Sequence, residues 1–115
     1  RGYRMSYFFK EADTSIDTVE SGKCMRRIKG HDGKLMTVEV YFEHGCISAA
    51  HIHPHEQMTY CLEGEFEFYV GEETGRMKAG DTVYMPPNIL HNCKLLSEKG
   101  RLLDIFTPVR EDFLA

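Results

Sequence analysis

Apolar and polar residues alternate with a period of two along much of this chain. The pattern is clearest in Glu65 to Val70 (EFEFYV). Phe66, Phe68 and Val70 share one face there, and Glu65, Glu67 and Tyr69 share the other. Such alternation predicts a half-buried strand with the phenylalanines inward. Leu35 to Phe42 (LMTVEVYF) is rich in β-branched and aromatic residues and predicts another. Cys24 to Lys29, Gln57 to Leu62, Arg76 to Ala79, Thr82 to Met85, Leu90 to Leu96 and Arg101 to Thr107 complete the set. Turn signals separate them: GHDG at Gly30 to Gly33, His44-Gly45, Glu63-Gly64, and GEETG at Gly71 to Gly75. Ser6 to Ser21 has no clear period, and Tyr7, Phe8 and Phe9 within it are expected to pack on the strands or on a second copy. Only Arg110 to Leu114 admits a helix, barely one turn long. Many short strands with almost no helical period predict an all-β antiparallel barrel or sandwich.

Composition narrows the picture. A chain of 115 residues, 42% hydrophobic, suits one domain with a modest core. The expected division is an N-terminal segment over 1–22, with Arg1 to Arg4 an added leader before Met5, and a barrel over 23–115. A formal charge of -4 argues against a general nucleic-acid or anionic-membrane binder. No apolar run approaches the roughly 20 residues of a membrane span, and no secretory signal is evident. The expectation is a cytoplasmic protein. Cys24, Cys46, Cys61 and Cys93 form no CxxC pair and are expected to be reduced, mostly buried thiols.

Candidate chemistry concentrates in Gly45 to Gly64 (GCISAAHIHPHEQMTYCLEG). In a strand, residues two apart face the same way, so His51 and His53 project together and Gln57 shares their parity. His91 lies in a second stretch, Gly80 to Lys94 (GDTVYMPPNILHNCK). Neutral imidazoles suit zinc, nickel, copper or iron, and an amide oxygen is an acceptable harder partner. Pro54 disturbs the parity, so Glu56 competes with Gln57, and His55 is either an alternative ligand or a group behind the ligands. His31 and His44 sit in turns and are expected at the surface. Arg26 and Arg27 face opposite ways on a strand, so at most one points inward toward an anionic ligand. In Leu102 to Leu114 (LLDIFTPVREDFL), Leu102, Asp104 and Phe106 share a face. A carboxylate there is costly to bury without a partner. Asp104 therefore serves a cavity or ties the tail down through Arg110.

These spacings resemble the cupin superfamily. Gly45, His51, His53 and Gly64 match its first motif, with Gln57 where Glu is usual. Gly80, Pro86 and His91 match the second, with Asn88 in place of glycine and Leu95 in place of asparagine. Asn88 is a mild departure, because asparagine tolerates a left-handed backbone. The resemblance implies a single-domain antiparallel jelly-roll barrel.

HxHPHEQ, YxLEGEFEF, PPNxxH and LDxFxPxREDFL together are similar to the small cupins of pectin and alginate catabolism. Members of that group convert 4,5-unsaturated monouronates into linear keto-deoxyuronates. The resemblance implies a divalent transition metal (Zn, Ni, Fe, Mn or Cu) on His51, His53, Gln57 and His91. It also implies that Asp104, Phe106 and Arg110 act on or hold a small acidic sugar, and that the chain is a homodimer. Two other classes stay open: an iron or copper dioxygenase on a small molecule, and a non-catalytic module that binds a small ligand.

Overall fold

The computed structural model describes residues 6–19, 23–46 and 48–114. The leader expected at Arg1 to Arg4, Met5 and residues 20–22 lie outside them. Nine strands are described: β1 (Ile16–Val19), β2 (Cys24–Asp32), β3 (Leu35–Glu43), β4 (Glu56–Glu63), β5 (Glu65–Val70), β6 (Glu73–Lys78), β7 (Thr82–Met85), β8 (His91–Leu95) and β9 (Lys99–Thr107). One short helix, α1 (Glu111–Leu114), follows a cis Thr107–Pro108 peptide. The strands form two antiparallel sheets, ordered β1-β2-β3-β9-β4-β7 and β6-β5-β8. Their inner faces supply the core. The fold is the all-β jelly roll expected of a cupin, and among the described residues no helix is long and apolar enough to cross a membrane.

Alternation translates directly into layers. Phe66 and Phe68 of β5 are buried, as are Leu102 and Phe106 of β9. Phe42 and Phe66 meet edge-on across the two sheets, with ring centroids 5.0 Å apart. Gly64 turns β4 into β5 at a positive φ of 89°, and a Cβ there would lie 2.4 Å from the Lys99 carbonyl oxygen, so only glycine fits.

Several expectations are corrected. Ile16–Val19 is a strand, pairing antiparallel with Cys24–Arg27 of β2. Its sequence hid it, because three of its four residues are exposed and show no alternation. β2 runs on to Asp32 across a bulge between Ile28 and Gly30, so His31 lies in a strand rather than a turn. The β5–β6 turn is only Gly71-Glu72. Glu73 and Thr74 pair with Val70 and Tyr69, because a two-residue loop with glycine at a positive φ matches the sheet's twist. β8 is shorter than expected and β9 starts two residues earlier. Cys24 and Cys46, read as thiols, are joined in a disulfide, their Cα atoms 5.8 Å apart. The fold places them in bridging range, which their sequence spacing does not reveal. Cys61 and Cys93 are free and buried. In the N-terminal segment, Phe9 packs near His31 on β2, while Tyr7 and Phe8 are exposed.

Candidate metal centre and cavity

The register of β3, β9 and β4 builds the interior in steps. Val40, Leu102 and Cys61 lie side by side in the first, and Val38, Asp104 and Thr59 in the second. Met36, Phe106 and Gln57 form the third, with Met85 of β7 beyond Gln57. The interior therefore changes from apolar to polar along the same strands. A cavity opens at the polar end, lined among others by Ser48, His51, Gln57, His91, Asp104 and Arg110.

His51 and His53 do not sit in a ladder, as their spacing suggested. The chain approaching β4 is extended but irregular. A single bridge holds it, with His51 N donating to the His91 carbonyl at 3.0 Å and His91 N returning a bond at 3.1 Å. Asn88, at a φ of 62°, donates its backbone N–H to the His53 carbonyl at 2.8 Å. The two histidine stretches are thus stitched together through their backbones.

The ring tautomers follow from hydrogen bonding. His51 Nδ1 lies 2.9 Å from the Ala49 carbonyl, His53 Nδ1 3.0 Å from that of His55, and His91 Nδ1 3.0 Å from that of Ile89. A carbonyl can only accept, so each Nδ1 carries the hydrogen and each neutral ring keeps its lone pair on Nε2. One donor atom from each ring falls within 4.8 Å of the others. His91 Nε2 is buried with no hydrogen-bond partner among the described residues. Burial lowers the His91 pKa to about 4 and also holds His53 below the ordinary imidazole range, helped by the Arg110 charge. Both rings are therefore poised as neutral ligands.

Gln57 sharpens the fit. Its Nε2 donates to Thr59 Oγ1 at 2.9 Å, and Thr59 donates to Asp104 Oδ1 at 2.7 Å. An ionised Asp104 can only accept, so the chain of donors turns the Gln57 oxygen toward His53. That oxygen lies 3.0 Å from His53 Nε2. Two lone pairs facing at this distance need a proton or a cation between them, and the lowered His53 pKa disfavours the proton. Three imidazoles, one of them with an orphaned buried nitrogen, and an amide oxygen fit a divalent transition metal.

Each expected residue can now be placed. The structure brings His51, His53, Gln57 and His91 together. Glu56 points outward and bonds Tyr84, so it does not compete for the centre. His55 stacks edge-on near Phe106 and lies outside the cluster of three. Asp104, Phe106 and Arg110 all line the cavity. Arg110 is not tied to Asp104. It pairs bidentately with Asp112, at 3.0 and 2.8 Å, and its guanidinium lies over the Phe106 ring at 5.1 Å. Burial pushes the Asp104 pKa up to about 6, against the hydrogen bonds from Thr59 and Gln57. Thr59 and Ser48 escaped the sequence reading. Thr59 shares parity with Gln57, and only the β4–β9 register sets it opposite Asp104.

Residues 38–106 match the family model described as a cupin domain. The chain belongs to the cupin family. Within it, the pectin degradation protein KdgF of Dickeya dadantii is 33% identical over 111 residues, 96% of this chain and all of that protein. The solved structure of KdgF from Halomonas sp. superposes with a TM-score of 0.86 at 30% identity, covering 95% of this chain and 99% of that one. An RmlC-like cupin from Shewanella frigidimarina has a TM-score of 0.85 at 33% identity, covering 94% and 96%.

Proposed function

We propose that this chain is a metal-dependent, non-redox enzyme that opens the ring of a 4,5-unsaturated uronate to a linear keto-deoxyuronate. The observation that carries the reading is Asp104, facing the donor cluster from the same cavity with its pKa near 6. Full-length similarity to a pectin degradation protein supports it.

His51, His53, Gln57 and His91 would hold one divalent transition metal, of the zinc, nickel, iron, manganese or copper type. Such a metal supplies a Lewis acid, and a neutral Gln57 in place of a carboxylate leaves it more electrophilic. The conversion is an isomerisation. The anomeric hydroxyl gives up its proton and becomes the aldehyde, while the bond from the anomeric carbon to the ring oxygen breaks. The ring oxygen becomes an enol, which loses its proton as carbon 4 gains one, leaving a ketone. A carboxyl group that faces the donor cluster from the cavity wall can both take and return these protons, and that role falls to Asp104. Thr59 holds Asp104 in place. Phe106 packs on the sugar and excludes water, braced by Arg110, whose guanidinium lies over its ring and is paired with Asp112.

The test is loss of the ultraviolet absorbance of the carbon 4–carbon 5 double bond on adding metal-loaded protein. Loss without dioxygen uptake supports the reading. Dioxygen uptake by iron-loaded protein on a small molecule would instead mark a dioxygenase, and saturable binding without turnover a binding module.

A further inference from the structure

Arg26 and Arg27 are adjacent on β2 and part company. Arg27 turns outward, donating to Thr14 Oγ1 at 2.7 Å and lying 3.4 Å from the Tyr41 hydroxyl. Arg26 sits opposite Val40 in the β2–β3 register, and both line the cavity that holds His51, Gln57, His91 and Asp104. Its Nε is buried and makes no hydrogen bond among the described residues. Asp17 lies opposite it on β1.

The second arginine of the cavity is in a different state. Arg110 already spends its Nε and one Nη on the Asp112 carboxylate. Its charge is compensated and its two best-placed donors are engaged. Both guanidinium groups rest on the same ring, with Arg26 Cζ 4.0 Å and Arg110 Cζ 4.1 Å from the Phe113 centroid. Phe113 thus fixes Arg26 without using its hydrogen-bond donors. Apart from the imidazoles, the charged groups lining the cavity are Arg26, Arg110 and Asp104. An uncompensated guanidinium with a buried, idle donor in such a place matches an anion with two coplanar oxygens.

We propose that Arg26 is a specificity-determining residue that reads the carboxylate of an acidic sugar in this cavity. Arg110 and Asp112 then act as a neutral bracket that holds Phe113 and Phe106. The assignment rests on the uronate reading for its choice of ligand and on the cavity geometry for the residue. It places the preference for acidic over neutral sugars on β2, away from the donor cluster.

The experiment compares wild type with Arg26→Gln, both metal-loaded. On a 4,5-unsaturated uronate, KM should rise about ten- to a hundredfold while kcat changes little, the loss expected for one charge-assisted contact made equally before and during reaction. A second arm needs no turnover: calorimetric binding of D-galacturonate and D-galactose. Wild type should prefer galacturonate, and Arg26→Gln should erase that preference. If wild type consumes no uronate yet shows the preference and the variant loses it, the proposed reaction fails and the Arg26 assignment stands. A variant with unchanged KM, or with the galacturonate preference intact, overturns the assignment. Should Arg26→Gln not fold, Arg26→Met keeps the stem packed on Phe113 and is decided by the same outcomes.

Discussion

The two ends of the barrel interior are built on the same strands and behave oppositely. At the closed end, Cys24, Phe42, Cys61, Phe66, Phe68, Leu95 and Leu102 form one apolar cluster. At the open end, Met36, Val38 and Phe106 make a smaller cluster that backs a polar wall. Strand β4 passes from Cys61 through Thr59 to Gln57, and β9 from Leu102 through Asp104 to Phe106. Alternation alone would make every one of these positions apolar. Three departures from it, at Asp104, Thr59 and Gln57, are linked by hydrogen bonds of 2.7 and 2.9 Å into one chain. Buried polar groups persist only when partnered, and these are partnered with each other and with the cluster of imidazoles. The comparison teaches that the closed end holds the fold, while the open end gathers the buried polar groups and the imidazoles that could hold a metal.

Mutations should separate the two ends. The largest effect is expected for the His51→Ala, His91→Ala double variant, which should lose stoichiometric metal by elemental analysis while keeping its β-rich circular dichroism. Next, Phe66→Ala should cost about 3–5 kcal/mol in denaturant unfolding and leave metal binding intact, because Phe66 packs only in the apolar cluster.

A third expectation concerns pH in the metal-free protein. The folded Asp104 pKa lies above its ordinary 3.8, so the stability it contributes is present in acid and is lost as pH rises through about 6. The His91 pKa lies below its ordinary 6.5, so its burial costs stability in acid, and that cost vanishes as pH rises from about 4 to 6.5. The two effects oppose each other at about 3 kcal/mol each. The lowered His53 pKa acts in the same direction as that of His91, so wild type should gain only modestly over this window. Asp104→Asn should gain about 3 kcal/mol from pH 4 to 6.5, read by urea unfolding at each pH. A flat profile in that variant would show that His91 is not held neutral by burial. The smallest effect is expected for Thr59→Val, which leaves Gln57 and Asp104 each short of a partner. It should cost about 1–3 kcal/mol of stability and weaken metal binding, in contrast to a volume-matched change at the closed end.

Much of the fold was legible because its strands obey the two-residue period. Glu65 to Val70 and Leu102 to Phe106 state their inner faces outright. The donor cluster was legible from the spacing of His51, His53 and His91, although parity on a strand was the wrong reason. Backbone bridging and carbonyl contacts at each Nδ1 aim the rings, and neither leaves a mark in sequence. β1 was hidden because an exposed edge strand has no inner face to advertise. The Cys24–Cys46 bridge and the opposition of Thr59 to Asp104 are products of register, which links residues 22 and 45 positions apart. Arg26 and Arg27 could be told apart only once β2 had a neighbour on each side.

The most direct test of the account is the ultraviolet assay on Asp104→Asn, run on protein shown by elemental analysis to hold one metal per chain. Wild type should bleach the double-bond absorbance of a 4,5-unsaturated uronate. The variant, folded and metal-loaded, should do so about 10²–10⁴-fold more slowly, the usual worth of a positioned proton-transfer group. A variant that bleaches at the wild-type rate would contradict the assignment of proton transfer to Asp104 and leave the open end as a metal centre alone.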